Sequence, residues 1–510
     1  PDPPPPRVRR RGTASSPIRH GELADQAEAS PVPGSGVAPP APPGRADDPL
    51  AAVAALGLPG LHLADPAAVH PLLARLRAVP ADATAVLDHP ALRAAVERSV
   101  DDAEAGLDAR PLADAVLGLL GETGAGAAAA RPWLGALALP DEDGLPARAD
   151  ELLLPDAALR PLLHPDAPLG VLDPDLAAAV PRALLTALGV LDGFAVLLDP
   201  DATGPDHDLD DEEAWWAARQ DGPTHLVAVR DLDLVDDGAW SAALHLLAGD
   251  RATRAALLDP GGYTAWWLAR HARLGGRGPG YWRLPSATVL TGLYDAAPAA
   301  LDEQVLAAIG VRAGLDVGGP AQAADLLARL ADPARRPGPA LAVAAHAALA
   351  AAVADGRVDP AILDPPEHVR ALDGEIADAA DATVLDAPWY AAVLPAGELV
   401  AGGAGAALAD LLDLPLASDV VAAEVEGSGR AVAWAALPLA VLACHDLGLP
   451  VPPGEVYLHD VLAVRVRRPA PARHEVPLWR DTAGRWHAVD PVRALPAVLA
   501  AHRPGEVIVE

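Results

Sequence analysis

The densest run of potential ligands is Asp199-Pro200-Asp201-Ala202-Thr203-Gly204-Pro205-Asp206-His207-Asp208-Leu209-Asp210. It sets oxygen donors at the first, third and fifth places, glycine at the sixth and a carboxylate at the twelfth, as a calcium loop between two helices does. Three features argue against that chemistry. Aspartate at the twelfth place reaches less far than the usual bidentate glutamate, and Pro205 and Asp206 fit the seventh and eighth places poorly. The entering segment, Gly193-Phe194-Ala195-Val196-Leu197-Leu198, reads as a strand rather than a helix. The expectation is an acidic surface loop over 199–213 that holds no metal.

Two glycine-rich stretches have the composition of anion cradles. Gly275-Gly276-Arg277-Gly278-Pro279-Gly280 lacks the Lys-Ser/Thr that follows a phosphate loop, so it reads as a connection. Gly402-Gly403-Ala404-Gly405 precedes a helix, where backbone N–H groups attract anions, but it lacks the dinucleotide fingerprint. The sixteen histidines are scattered, with no His-Glu-x-x-His. Ser428 sits in Gly427-Ser428-Gly429, a turn signature rather than a nucleophile elbow. Cys444 and His445 are adjacent, so their side chains diverge on a helix, and the cysteine is expected to be buried. Trp215-Trp216 and Trp266-Trp267 are expected to fill core volume. These residues assemble no catalytic, cofactor-binding or metal site.

Composition narrows the functional classes. The 510 residues carry 38 Lys+Arg against 70 Asp+Glu, a net charge of −32. Such a body repels phosphate backbones, which argues against nucleic acid as a partner. Arg7-Val8-Arg9-Arg10-Arg11 is a local exception and reads as a solvated basic tail. One cysteine excludes an internal disulfide framework and a multi-cysteine zinc site. The longest apolar run, Ala431 to Cys444, contains Pro438 and is shorter than the roughly 20 residues a bilayer requires, so it reads as a buried helix over 431–446 and no membrane is expected as a partner. The terminal arginines precede no apolar core, and the expected location is cytoplasmic. There is no Met, Lys or Asn, the signature of a GC-rich genome; the missing initiator suggests a piece of a longer protein.

The elements that would position these residues indicate a mixed α/β (α+β), multi-domain chain, rich in helices with short mixed sheets. Residues 1–48, rich in Pro and Arg, read as a disordered linker. Helices are expected at 50–56, 67–79, 90–99, 111–121, 175–188, 239–247 and 321–330, within a region 49–330 that could break near 165–175; 264–274 carries Trp266 and Trp267 into the glycine-rich loop. The stretch 280–318 looks like its centre, with Tyr281, Trp282, Tyr294, an N-cap at Asp302 and a helix ended by Gly310. Ala331-Asp-Pro-Ala-Arg-Arg-Pro-Gly-Pro-Ala340 reads as a linker. Beyond it, 341–510 reads as an α+β domain: a helix over 341–354, strands at 383–385, 399–401, 420–425, 456–458 and 462–466, a hairpin over 476–489 and a closing helix over 491–501. A recurring Leu-x-x-Leu-Gly ending, as in Leu185-x-x-Leu188-Gly189-Val190 and Leu306-x-x-Ile309-Gly310-Val311, marks helix C-termini at irregular spacing and not a solenoid period.

Several strings have a distinctive look: ARPWLGALALPDEDG at 130–144, GVLDGFAVL at 189–197, HLVAVRDLDLV at 225–235, YTAWWL at 263–268, ATVLDAPWY at 382–390, LADLLDLPLAS at 408–418 and GRWHAVDPVRAL at 484–495. Over most of 49–510 the chain resembles the C-terminal region of actinobacterial sacsin-like molecular chaperones, whose N-terminal module is a heat shock protein 90-type GHKL ATPase. That module needs a helix with Glu and Asn, and an Asp-x-Gly-x-Gly. This chain has no Asn, and Asp259-Pro260-Gly261 and Asp316-Val317-Gly318 both lack the last glycine. The resemblance therefore implies an ATPase upstream, with ATP and magnesium belonging there and no cofactor in this chain. It implies a non-catalytic region that contacts client proteins or the upstream ATPase domain. A free-standing enzyme with dispersed site residues around the acidic loop 199–213 and a pure interaction scaffold of a stress or defence system stay open.

Overall fold

The computed structural model describes residues 48–502, except 77, 220, 221, 223, 224 and 299. The expected disordered segment and its arginine cluster lie outside the described residues, apart from Asp48. Among the described residues there are twenty α-helices and seventeen strands, and the largest sheet has four strands. The chain is thus mixed α/β, with helices carrying most of the core. None of these helices is long and apolar enough to cross a membrane.

Buried side chains form four clusters. The first runs from Val53 to Leu191 around the helix Arg110–Thr123, whose Val116, Leu119 and Leu120 are fully buried. That helix passes the expected stop at Gly121 and ends where Gly124 takes φ 84° and donates to the Leu120 carbonyl. The helix expected over 175–188 is two, Pro174–Ala179 and Arg182–Leu188: Pro181 forces Val180 into extended geometry. Pro71 divides the stretch 67–79 in the same way, leaving a 3₁₀ turn Pro66–Ala68 and a short helix Pro71–Arg75.

The second cluster runs from Ala202 to Leu414. The buried side chains change cluster between Leu191 and Ala202, and one cluster has members on both sides of 331–340, among them Leu330 and Leu341. The reason is the arginines of and around that segment. Arg370 is buried, and its guanidinium donates to the carbonyls of Leu330, Asp332 and Arg335 at 3.1, 2.8 and 3.1 Å. Arg335 donates to Leu293 O at 2.8 Å, and the backbone N–H of Arg336 to Gly292 O at 3.2 Å. A Cβ at Gly292 would meet the Arg336 carbonyl at 2.3 Å, so only glycine permits that approach.

The stretch 280–318 is a node of this cluster. Arg329 is buried between the faces of Tyr281 and Tyr294, 4.2 and 4.3 Å from the ring centroids, and its Nε bonds Asp325 at 2.8 Å. Gly310 (φ 90°) ends the helix Glu303–Ala308, with Val311 N–H donating to Leu306 O. The same six-to-one closure recurs at Val190 to Leu185 O and Leu449 to Cys444 O, so the Leu-x-x-Leu-Gly endings are Schellman caps.

The last two clusters belong to the C-terminal sheets. Ala463–Arg468 lies between Ala422–Glu426 and Ala472–Glu475, with Val464 and Val466 buried and Arg465 and Arg467 exposed, as the alternation predicts. The four-stranded sheet orders Arg430–Ala433, Glu455–Leu458, Trp486–Ala488 and Leu478–Arg480; the last two form the expected hairpin, Trp479 opposite His487. Between its first two strands runs a helix, Pro438–Asp446. The buried helix expected over 431–446 is corrected here: 430–433 is a strand, Leu437 is extended before Pro438, and the helix buries only Ala440 and Cys444.

Candidate functional site

Two surfaces combine reactive or adhesive residue types with access to solvent. The first is an open acidic cleft of about 1260 Å³, lined among others by Asp166, Asp208, Asp210, Asp211, Glu213 and Asp233. Its floor is the loop that the sequence likens to a calcium site. The strand Val196–Asp199 pairs with Leu226–Val229 and delivers Asp199 into the loop, so the entry is a strand as expected. The cation inside the loop is the protein's own His207. Its Nδ1 lies 2.7 Å from Glu212 Oε1 and its Nε2 2.9 Å from Asp199 Oδ2. Burial opposes the imidazolium, but the hydrogen bonds to both carboxylates outweigh it, and the His207 pKa is raised. Glu212 is buried and also accepts from Trp216 Nε1 at 3.2 Å. Asp199 and Glu212 are thus committed to holding the loop.

The opposite wall of the loop is the helix Tyr263–His271. Tyr263 Oη donates to Asp210 O at 2.6 Å, and Trp267 Nε1 donates to Asp210 Oδ2 at 3.0 Å. His271, in the last turn, stacks on Trp267 with centroids 4.5 Å apart. Its Nε2 lies 3.0 Å from Asp211 Oδ2. Asp210, Asp211 and His271 bring one donor atom each within 4.8 Å of one another and could hold a cation. Sequence reading missed His271 because its partners come from a distant loop; the only local signal is its place four residues after Trp267 on one helix face.

The second surface is the helix Pro438–Asp446 and its C-terminal turn. Leu439, Leu442 and Leu447 are 66, 55 and 58% exposed, while Ala440 and Cys444 face the terminal helix and the four-stranded sheet. Cys444 is buried as expected, and burial raises its pKa; His445 points outward.

The other sequence candidates are structural. Gly275 and Gly276 form a tight turn closed by paired hydrogen bonds between Leu274 and Arg277. Gly402 lets its segment touch the helix Pro339–Ala354, where a Cβ would stand 2.5 Å from His346 Cβ and 2.8 Å from Ala347 N. Gly405 packs on Asp386 in the same manner. Trp215 and Trp267 are buried core residues, with Trp216 and Trp266 partly buried beside them. Ser428 is exposed in its turn. Beneath that turn lies a relay the sequence did not suggest: His459 Nε2 is 3.0 Å from His487 Nδ1, and His487 Nε2 is 3.3 Å from Asp481 Oδ2. Burial lowers the pKa of both imidazoles, and at His459 the neighbouring His487 adds to that. Gly429 caps the relay, since a Cβ there would lie 2.5 Å from His459 Nε2.

No protein-family model, no curated protein and no solved structure matches this chain.

Proposed function

We propose that this chain is the non-catalytic, partner-contacting region of a sacsin-like, chaperone-type ATPase, working in the cytoplasm, and that the helix Pro438–Asp446 holds an apolar segment of a client polypeptide. The observation that carries this reading is the exposure of Leu439 and Leu442 on the helix and of Leu447 just past its end, while Ala440 and Cys444 of the same helix are already packed. Covering one leucine side chain is worth about 1.5–3 kcal/mol, so three offer a useful gross contact energy, reduced by the ordering cost of binding. Large contiguous apolar exposure marks interaction surfaces. The client is a foreign chain rather than a second copy, because bodies of net charge −32 repel each other. The test is suppression of aggregation of a heat-denatured model client. Wild type delays aggregation; the double variant Leu439→Asp/Leu442→Asp does not, at unchanged circular dichroism. Equal protection by both proteins refutes the reading.

A second reading, an enzyme centred on the acidic cleft, is favoured by one observation: Asp210 and Asp211 line the cleft, and His271 brings a ring nitrogen within 4.8 Å of their carboxylate oxygens. Turnover of any substrate, abolished by His271→Ala and untouched by the leucine variants, would place this reading first.

A further inference from the structure

We propose that His207 is a pH-operated clasp that closes the loop 207–212 and so sets the shape of one wall of the acidic cleft. The loop stays closed while the imidazole carries its second proton and relaxes when that proton is lost.

The geometry fixes the charge state that the closed loop needs. His207 Nδ1 lies 2.7 Å from Glu212 Oε1, and its Nε2 lies 2.9 Å from Asp199 Oδ2. A carboxylate only accepts, and a neutral imidazole carries a single N–H, so only the imidazolium satisfies both contacts. The His207 side chain is 9% exposed and that of Glu212 5%, which leaves little room for water to replace either partner. Removing the proton sets a nitrogen lone pair against a carboxylate oxygen in a nearly dry place, and one bond of the clasp is lost.

The clasp joins separate elements and restrains the chain between them. Asp199 ends the strand Val196–Asp199, and Glu212 begins the helix Glu212–Ala217. Glu212 Oε2 also accepts from the backbone N–H of His207 at 3.0 Å, so one carboxylate ties both the ring and the main chain across the loop. Inside the closed loop Asp208 and Asp211 take φ 55° and 53°, a left-handed geometry that residues other than glycine seldom adopt. Backbone of this kind persists where its surroundings hold it. Asp208, Asp210, Asp211 and Glu213 line the cleft, so the cleft changes when the loop does.

The charged groups facing His207 are Asp199 on the strand, Asp206 in the loop, 3.6 Å from Nδ1, and Glu212 on the helix. From the opposite wall, Tyr263 has its pKa pushed up by burial and stays neutral. Two more imidazoles border the cleft: His271, 3.0 Å from Asp211, and His164 in the lining. Burial opposes the His207 imidazolium, yet the bonds to Asp199 and Glu212 prevail and raise its pKa from 6.5. An open loop sheds this proton near pH 6.5 and the closed loop at higher pH. Closure is therefore fully supported below pH 6.5 and is lost as pH rises through the closed-state value, by up to about tenfold per pH unit.

The experiment follows the full chain from pH 6 to pH 9. Amide exchange over 206–213, corrected for its intrinsic rate, reads the loop. Tryptophan emission reads the midpoint, since Trp216 Nε1 shares Glu212 Oε1 with the imidazole at 3.2 Å. The expected result is protection at pH 6 that falls by about tenfold or more at pH 9, with a reversible change of emission. His207→Gln, with no proton to lose, shows low protection at both pH values and no emission change. Asp199→Asn keeps the imidazole and removes one charge, and should move the midpoint down by about one pH unit. It supplies the test on its own if His207→Gln does not fold. His271→Gln keeps the transition. Equal wild-type protection at pH 6 and pH 9, a transition that survives His207→Gln or disappears in His271→Gln, or an unmoved midpoint in Asp199→Asn overturns the proposal.

Discussion

Two alanine- and leucine-rich helices of this protein have nearly the same sequence character and opposite fates. Pro339–Ala354 and Pro438–Asp446 both start on proline and carry no polar face at helical period. The first buries Leu341, Ala342, Ala345, His346, Leu349, Ala350 and Ala352 in the large cluster. The second buries Ala440 and Cys444 and leaves its leucines in solvent. A helix apolar all round ordinarily belongs inside. One such helix obeys the rule and supplies stability; the other departs from it and has apolar surface to spare for a partner.

The comparison breaks most visibly if the first helix proves dispensable. Leu349 is fully buried, and Leu349→Ala should cost about 2–5 kcal/mol in urea denaturation. A loss under 1 kcal/mol would mean the two helices do not differ in kind.

His346 sharpens the same point through pH. Burial lowers its pKa from 6.5 to about 4. Its unfolded form takes up a proton near pH 6.5 and its folded form only near pH 4, so its contribution to stability is complete above pH 6.5 and is lost as pH falls toward 4. The loss is roughly 3 kcal/mol at most. Wild type and His346→Gln should therefore lose stability at different rates between those pH values; identical slopes would remove His346 from the core account.

A smaller effect is expected beside the first helix. Arg370→Met strands the carbonyls of Leu330, Asp332 and Arg335, at a cost of about 1–3 kcal/mol. Limited proteolysis, which should spare 331–340 in the wild type, should then cut there. The smallest effect belongs to the exposed helix, where Leu442→Asp should change stability by no more than about 0.5 kcal/mol.

The reading of the sequence was most successful where local chemistry decides. Schellman endings such as Leu306-x-x-Ile309-Gly310 and the alternation of Val464 and Val466 with Arg465 and Arg467 can be read from neighbours alone. It failed where distant groups decide. Pro337, Gly338 and Pro339 announce a linker, yet Arg370 and Gly292, both remote in sequence, close the segment into the core. The calcium-like spacing could not reveal that His207 turns inward, nor could any local pattern bring His271 to Asp211. The fate of 438–446 depends on which neighbours cover it, and composition does not encode that.

The most direct test of the account is hydrogen exchange of the full chain with and without an unfolded client, reduced α-lactalbumin. Protection gained over residues 438–447, absent in Leu439→Asp/Leu442→Asp, is the predicted result. Client-induced protection that leaves 438–447 unchanged and appears at the acidic cleft instead would contradict it.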